Sequence, residues 1–414
     1  MNFIKNNSKK KQLTNIFLVS VIFFISDDTV TFGTNINQFL ILLKYGIYFV
    51  FSMLLFIGLN FGKNILLLSS KEILTIFAFI ACFFVTISFN GDFRNGYFLQ
   101  LLTLLFATLI VKFLDFDLFI KCFSKILFVL SLISLLILLI ANLIPSVLAP
   151  FPETVNFGGV IFKNLLVCAV FTETNFLRNT SIFREPGVFV IYLLFGIIIE
   201  FFYNKILNKK YLIVFLIAVI STLSTSGIGI LFLLLVGYMF KVNKFKIYLF
   251  VSTVLILSIL TLIALPDFSS LLFSKMDTDS SDYVSTLARL SSFSVPFYIF
   301  LNNPVTGVGL TNFVTLYSIY SVELFGVFID PESASTNTII NTFAIFGFFY
   351  GGLMLLSFFK ISKRLSKSTF SKIIVLVSIL LMFSTQEMRY SLFVNVLFMY
   401  GLMSVNLRRQ TKSL

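Results

Sequence analysis

Long apolar runs separated by short polar connections extend along almost the whole chain. A membrane-spanning helix needs about 20 apolar residues, and comparable runs occur at 13–26, 38–60, 73–89, 97–114, 118–144, 187–203, 211–224, 227–240, 246–265, 336–359, 372–385 and 389–406. This pattern predicts an all-α fold, a polytopic integral membrane helix bundle of about twelve transmembrane helices. We expect residues 1–414 to form a single transmembrane domain.

The composition agrees with a membrane protein and narrows its chemistry. The chain is 58% hydrophobic and 12% charged, whereas a soluble domain has roughly 45–50% apolar and 25% charged residues. It has no histidine, and its three cysteines, Cys82, Cys122 and Cys168, are far apart. Neither a metal site, a disulfide framework nor a cofactor is predicted. Acid–base chemistry would therefore fall to carboxylates, lysine or tyrosine.

Basic residues predict the orientation, because short cytoplasmic loops of membrane proteins are rich in Lys and Arg. Clusters of Lys and Arg occur at 9–11, 205–210 and 360–372, which the alternation of spans places on one side. Both termini are then cytoplasmic. The net charge of +13 follows from this topology and suits an acidic inner leaflet, so membrane lipids rather than nucleic acid are the predicted partners.

Two connections are much longer than the others, and both are predicted to be extracytoplasmic. They are residues 145–186 and 266–335. Loops of this length are usually functional or disordered. Within the first, residues 157–171 are semi-apolar and interrupted by Lys163, a pattern that fits a re-entrant or interfacial segment. Extracytoplasmic function is expected to reside mainly in these two loops.

Two patterns in the second loop have ordinary interpretations. Asp277, Asp279 and Asp282 could hold a hard divalent cation through oxygen ligands, but Ser-rich acidic loops are more often simply solvated, and we predict no metal. Gly307-Val308-Gly309 follows Pro304 and resembles half of a dinucleotide-binding fingerprint. Without a surrounding strand–helix unit, we interpret it as the turn that returns the loop to the membrane.

Residues 181–189, SIFREPGVF, place two opposite charges directly before a long apolar run. Pro186 suits the first position of a helix, since its missing N–H would be unbonded there. Glu185 then falls at the N-cap, with Arg184 just outside it. An arginine beside the positive end of a helix favours binding of an anion.

Other predicted helix starts on the same side also have capping or charged residues. They include Ser226, Asn337 and Arg389, and the long loops add Arg178 and Arg289. Together with Arg184 these residues predict a pocket at membrane level for a phosphate or pyrophosphate group. Taken one at a time, each also fits a helix cap or a local ion pair.

Four segments together resemble a known superfamily. SIFREPGVF at 181–189, STSGIGIL at 224–231, NPVTGVGLTNF at 303–313 and STNTIINTFAIFGFFYG at 335–351 occur in the order typical of the O-antigen ligase and polymerase superfamily. The chain is most similar to its Wzy-type polymerases of O-antigen and capsule repeat units. Ligases of the superfamily usually have a histidine near the outer end of the long loop, where this chain has Thr336-Asn337, so the resemblance favours a polymerase.

The resemblance implies a glycosyltransferase of the bacterial cytoplasmic membrane. Such an enzyme polymerises undecaprenyl-pyrophosphate-linked repeat units at the outer face, and a chain-length regulator is a possible further partner. The resemblance implies that Arg184 and Arg289 contact the pyrophosphate, whereas Gly187, Gly307 and Gly309 shape the backbone. Neither a cofactor nor a metal is implied.

The chemistry of this reaction suggests further site residues. Negative charge builds up on the departing pyrophosphate, which arginines and helix N-termini stabilise. One carboxylate should help to deprotonate the acceptor hydroxyl, and Glu185, Glu332 and Glu323 are the candidates in falling order. The predicted catalytic residues are Arg184, Glu185, Arg289 and Glu332. The predicted substrate-binding residues are Arg178, Gly187, Ser226, Gly307, Gly309, Asn337 and Arg389.

Two other functions fit parts of the sequence. A ligase that moves glycan onto lipid or protein is the nearest enzyme. A lipid-linked oligosaccharide flippase would also have about twelve spans, but transporters of that kind usually show internal repeats and charges at the bilayer midplane. Here the charges cluster at the outer ends of spans and in the two long loops.

Overall fold

The computed structural model describes residues 2–33, 38–61, 69–155, 161–165, 168–171, 177–242 and 281–403, and most of them are helical. The first helices are α1 (Asn2–Phe24), α2 (Val30–Gly33), α3 (Gln38–Phe61), α4 (Ser70–Asn90), α5 (Asn95–Phe113) and α6 (Phe116–Leu143). A 3-10 turn, Pro145–Leu148, and strands β1 (Glu153–Val155), β2 (Ile161–Asn164) and β3 (Ala169–Phe171) follow. The remaining helices are α7 (Pro186–Ile198), α8 (Lys209–Ser221), α9 (Thr225–Val242), α10 (Ser281–Asn302), α11 (Gly309–Phe325), α12 (Pro331–Ala334), α13 (Thr338–Leu365), α14 (Thr369–Phe383) and α15 (Leu392–Leu402).

The predicted helical membrane architecture is confirmed at the level of its class. Within the described residues, six helices are long and apolar enough to cross a membrane: Glu72–Asn90, Asn95–Phe113, Phe116–Leu143, Pro186–Tyr203, Thr225–Val242 and Thr338–Leu365. Shorter apolar helices cover Leu13–Phe24, Phe39–Leu55, Thr369–Phe383 and Leu392–Leu402. The predicted run at 246–265 lies outside the described residues, and the count of twelve and the orientation stay predictions.

The surface of the bundle is apolar where its helices face outward. On α4, Leu74, Phe77 and Phe84 each expose about two thirds of their area (67%, 66% and 69%). Large apolar side chains at this exposure are costly in water and are stabilised by hydrocarbon. These side chains therefore suit contact with lipid.

The first long connection departs from the all-α prediction. In place of a re-entrant or interfacial segment at 157–171, the chain forms a three-stranded antiparallel sheet in the order β1-β2-β3. Glu153 pairs in register with Lys163, and their side chains form an ion pair of 2.8 Å. The lysine that interrupts the apolar stretch is thus paired across the sheet.

The second long connection is also more ordered than an open loop. Its described part, from residue 281 onward, contains α10 and α11, which pack against each other and against α13. Ser291, Ser292, Val295 and Ile299 are buried on α10, and this helical spacing is the signal of an amphipathic helix. A hydrogen bond of 3.0 Å joins the hydroxyls of Ser291 and Tyr317 between α10 and α11.

Helix α7 lies at the centre of the bundle. Every residue from Val188 to Ile198 is buried, and the helix continues into a π-helical turn at Ile199–Tyr203. A side chain at Gly196 would collide with Leu127 and Phe215, since a Cβ there would lie 2.7 Å and 3.0 Å from them. A helix buried on all sides is a fixed support, so the residues directly before α7 are held at the centre of one end of the bundle.

Helix α13 is interrupted at Gly347, whose φ of 76° and ψ of −174° lie outside the helical region. The segment between α10 and α11 fills the break. Ala344 accepts a hydrogen bond from the Val308 amide at 2.9 Å, and Phe348 donates one to the Pro304 carbonyl at 2.7 Å. Backbone groups at membrane depth must be paired within the protein, so this segment completes the interrupted helix.

Lys44 is a charged residue within the otherwise apolar helix α3. Its side chain is 1% exposed and forms an ion pair with Asp27, which precedes α2. The ring of Tyr45 lies 4.4 Å from the Lys44 ammonium group. A buried ion pair contributes little net stability, but removing one partner leaves an uncompensated charge.

We expect Asp27→Ala to destabilise the protein by about 3–5 kcal/mol, the usual cost of breaking a buried ion pair from one side. Adding Lys44→Met should recover most of this loss, because an apolar side chain then fills the same space. Unfolding in detergent followed by circular dichroism measures both variants. Glu153→Ala, which breaks the more exposed pair with Lys163, is the control and should cost less than about 1 kcal/mol. A double variant as unstable as Asp27→Ala alone would contradict this account.

Candidate functional site

A cavity of about 460 Å³ opens at one end of the bundle, where several helices begin. Most of its lining comes from residues at or just before the N-termini of α5, α7, α11, α13 and α15. The polar part of this lining consists of Arg94, Arg184, Glu185, Ser335, Thr336, Gln386, Glu387, Arg389 and Tyr390. The remaining wall is largely apolar and includes Leu310, Phe313, Val314 and Ile345. The site therefore combines three guanidinium groups and two carboxylates with an apolar surface.

Arg184 is held by contacts at both ends of the residue. Its backbone amide donates to the Asp28 carbonyl at 2.9 Å, and its Nη2 donates to the Glu387 carbonyl at 2.5 Å. Its Nε is buried without a hydrogen-bond partner among the described residues. The guanidinium is thus fixed in direction and keeps a donor for a ligand.

Glu185 and Pro186 occupy the positions predicted for them. Pro186 is the first residue of α7 and Glu185 its N-cap, but the Glu185 side chain makes no capping hydrogen bond. Short side chains such as Asp or Ser at this place usually bind the first turn of the helix. Glu185 lines the cavity instead, so its carboxylate is available to a ligand.

The turn between α14 and α15 brings a second arginine to the cavity. One carboxylate oxygen of Glu387, Oε1, accepts from the Arg389 amide at 3.1 Å and lies 3.8 Å from the Arg389 Nε. The other, Oε2, accepts from the Asn341 side chain. Arg389 stacks on Tyr390 with 5.0 Å between the guanidinium carbon and the ring centre. Its Nε and Nη1 are buried and without a hydrogen-bond partner in the described part of the chain.

The two cavity carboxylates differ in how many of their oxygens are already bound. Both oxygens of Glu387 accept hydrogen bonds from neighbouring residues. Glu185 has no capping bond and is the better placed of the two to act as a base. Of the other predicted bases, Glu323 is exposed on α11 and does not line the cavity, and the side chain of Glu332 lies outside the described residues.

The helix N-termini around the cavity are not equally available to an anion. Asn337 caps α13 by accepting from the amides of Ile339 and Ile340, both at 3.1 Å. Ser391 caps α15, which begins at Leu392 and thus later than the predicted start near Arg389. The N-caps of α5 and α7, Arg94 and Glu185, make no side-chain capping bond. The free positive helix ends that border the cavity are therefore those of α5 and α7.

The N-terminus of α11 is occupied by groups from the neighbouring turn. Asp92 accepts from the Thr311 amide at 2.8 Å and from the Thr311 hydroxyl at 2.6 Å. The Tyr97 hydroxyl donates to Asp92 at 2.9 Å and accepts from the Leu310 amide at 2.9 Å. Burial raises the pKa of Asp92, but these hydrogen bonds outweigh it, so the pKa lies below its ordinary value of 3.8.

Asp92→Asn should destabilise the protein by about 1–2 kcal/mol at pH 7, as loss of a helix cap does, because an amide nitrogen cannot accept the bonds made to the carboxylate. The folded pKa is depressed, so the carboxylate stabilises the fold above its unfolded pKa of 3.8 and loses this effect as the pH falls through the lower folded value. Unfolding midpoints from pH 3 to 7 should therefore converge for the two proteins at low pH. A constant gap would contradict the assignment.

The structure brings three of the predicted site residues into one cavity: Arg184, Glu185 and Arg389. Gly187 lies just behind them, and a Cβ there would stand 2.4 Å from the Gln386 amide nitrogen. Gly307 and Gly309 have φ values of 65° and 77° and allow the close approach of the 304–309 segment to α13 and α4. Their contacts are those of backbone-shaping residues.

The other predicted residues lie elsewhere. Ser226 is on α9, with its hydroxyl 3.2 Å from that of Ser224, and it does not line the cavity. Asn337 acts as the cap of α13. Arg178 donates from Nε to the Thr222 carbonyl at 3.0 Å. Burial lowers the pKa of Arg178, the charge of Arg289 lowers it further, and Glu185 raises it, so Arg178 and Arg289 form a second basic group near the cavity.

Arg94 is the cavity arginine that our sequence reasoning missed. It lies in the short turn DFRNG at 92–96 and is the N-cap of α5. The signal was the same as for Arg184, a charged residue directly before a span that begins on the predicted outer side. Its backbone amide approaches Asp92 Oδ1 at 3.4 Å, so Arg94 belongs to the turn that also binds α11.

No family model matches the chain, and a search of curated proteins finds no match. The cavity and the sequence motifs that border it are therefore the basis for assigning a function.

Proposed function

We propose that this protein is a membrane glycosyltransferase that polymerises glycan repeat units carried on undecaprenyl pyrophosphate. The observation that supports it best is the convergence of Arg94, Arg184 and Arg389 on one cavity. Arg184 and Arg389 keep buried N–H groups without hydrogen-bond partners in the described chain. Such donors suit a phosphate or pyrophosphate, since guanidinium groups bind its oxygens in pairs. We place the reaction at the outer face of the bacterial cytoplasmic membrane.

The apolar wall of the cavity favours a lipid-linked substrate over a soluble phosphate ester. Leu310, Phe313 and Val314 come from one helix, α11, and Ile345 from α13. A polyprenyl chain attached to the pyrophosphate would bury apolar surface against this wall. The arginines that line the same cavity would bind the charged head of this molecule.

The proposed reaction needs no nucleotide sugar and no soluble energy source, because a glycosyl pyrophosphate is already an activated donor. The bond between the anomeric carbon and the pyrophosphate oxygen breaks, and its electron pair stays on the leaving pyrophosphate. The acceptor hydroxyl oxygen forms the new bond to the anomeric carbon and gives its proton to Glu185. Arg184 and Arg389 stabilise the charge that builds up on the leaving group.

A lipid-linked oligosaccharide flippase is the second candidate, and the break in α13 favours it. Interrupted helices are typical of secondary transporters, where free backbone groups bind the substrate. At Gly347, however, the groups next to the break bind the segment from Pro304 to Val308. The break therefore has a structural use in this chain, and polymerisation remains the better supported function.

The purified protein, reconstituted into vesicles with undecaprenyl-pyrophosphate-linked repeat units from the host, tests the proposal. We expect a ladder of longer glycans and release of undecaprenyl pyrophosphate without added nucleotide sugar or ATP. Transfer that occurs only after a second lipid or protein acceptor is added would identify a ligase. Movement of the lipid across the bilayer without a ladder would identify a flippase. Either of these results overturns the polymerase proposal.

A further inference from the structure

The segment between α1 and α2 binds the part of the chain that brings Arg184 to the cavity. Asp28 lies in this segment and is fully buried. Its backbone carbonyl accepts from the Arg184 amide at 2.9 Å, and an antiparallel bridge between Thr29 and Phe183 continues the pairing. The position of the Arg184 backbone is therefore set by residues 28 and 29.

The Asp28 carboxylate binds the part of the chain that brings Arg389 to the cavity. Its Oδ2 accepts from the hydroxyls of Ser391 at 2.5 Å, Tyr192 at 2.6 Å and Ser26 at 3.1 Å. Ser391 is the N-cap of α15 and ends the turn that contains Arg389. One residue thus holds both arginine-bearing segments, one through its backbone and one through its side chain.

We propose that Asp28 is a positioning residue that fixes Arg184 and Arg389 relative to each other for binding of the substrate pyrophosphate. This inference rests on the proposed function. Asp28 does not line the cavity, so it acts through the two arginines. Three hydroxyl donors and one backbone amide fix Asp28 between the two segments, and a site whose donors are held in place before the ligand binds needs less reorganisation.

Binding of undecaprenyl pyrophosphate to the full-length protein in nanodiscs tests this proposal. Arg184→Ala and Arg389→Ala should each weaken binding. Asp28→Asn should weaken it by at least about tenfold, the loss expected when the hydrogen bonds that orient the site are disturbed. In the protein that carries both arginine substitutions, Asp28→Asn should have no further effect on binding, because the residues that it positions are absent.

A matched control comes from the other end of α7. Asp117 accepts from the Tyr203 hydroxyl just as Asp28 accepts from Tyr192, and Asp117→Asn should leave binding unchanged. Tyr192→Phe removes one donor to Asp28 and keeps the ring, so it tests the proposal if Asp28→Asn does not fold. We expect it to weaken binding a few-fold, again only while both arginines are present.

The possible failures are distinct. Wild-type binding in both arginine variants would overturn the proposed pyrophosphate site itself. Weakened binding in these variants together with wild-type binding in Asp28→Asn, or in Tyr192→Phe where Asp28→Asn does not fold, would overturn only the role of Asp28. A further loss caused by either substitution in the protein without the two arginines would show general structural damage and would also overturn it.

Discussion

Replacing Arg184 with Ala is expected to abolish the polymer while the protein remains folded in the membrane. Its guanidinium lines the cavity and keeps a buried Nε without a partner in the described chain. Removing one preorganised donor from a site of developing charge costs about 10²–10³-fold in rate. The contact that positions the segment, from the Arg184 amide to Asp28, involves only the backbone and is kept in the variant.

Two further variants sharpen this test in cells that lack the chromosomal copy of the gene. Arg184→Lys should also fail, since a point charge cannot bind two phosphate oxygens in the fork geometry of a guanidinium. Lys205→Ala removes the same charge from an exposed position beyond the opposite end of α7 and should give normal polymer. Glycan ladders and membrane protein levels measure the outcome. Long chains of normal length in Arg184→Ala would refute the assignment of the site.

The part of the site predicted from sequence is the part encoded locally. Pro186 can be placed at the start of α7 because its ring restricts it to few positions, and this fixes Glu185 and Arg184 by simple adjacency. Arg94 and Arg389 are 295 positions apart in the chain, and only the packing of five helix ends brings them together. Topology places both residues on the predicted outer side, and Arg389 was assigned to the pocket for that reason. Sequence periodicity does not show which outer turns meet, so Arg94 was missed although its local signal resembled that of Arg184.

In the fold, too, the features predicted from sequence are those with a strong local signal. Strongly apolar runs such as 118–144 were recognised as helices because hydrophobicity alone identifies them. The sheet at 153–171 was not, since strands of three or four residues give too few positions for an alternating pattern. Helix α10 was hidden by its serines, several of which are buried and bonded to the carbonyl groups of the preceding turn. Lys44 was hidden within an apolar run because its partner, Asp27, lies in another segment.

Gly347→Ala should prevent the bundle from folding correctly, the largest structural effect that we expect from a single methyl group. The backbone at Gly347, with φ of 76° and ψ of −174°, lies in a region that is essentially restricted to glycine, and other residues there cost about 1–3 kcal/mol. A Cβ would also stand 2.1 Å from the Val305 carbonyl oxygen. To relieve that contact, the 304–308 segment must move away from α13, which breaks the hydrogen bonds between this segment and the helix. Each buried polar group that loses its partner costs about 1–3 kcal/mol.

Gly352→Ala in the same helix is the matched control, since a Cβ there meets nothing within 4 Å. It should be neutral or stabilise the helix by up to about 1 kcal/mol, the difference in helix propensity between glycine and alanine. Yield of monodisperse protein in detergent and its unfolding midpoint distinguish the two substitutions. Equal behaviour would mean that the break in α13 is not required. A collapse confined to Gly347→Ala would mean that the cavity wall formed by α11 and Ile345 depends on this glycine, since the segment held at the break leads directly into α11.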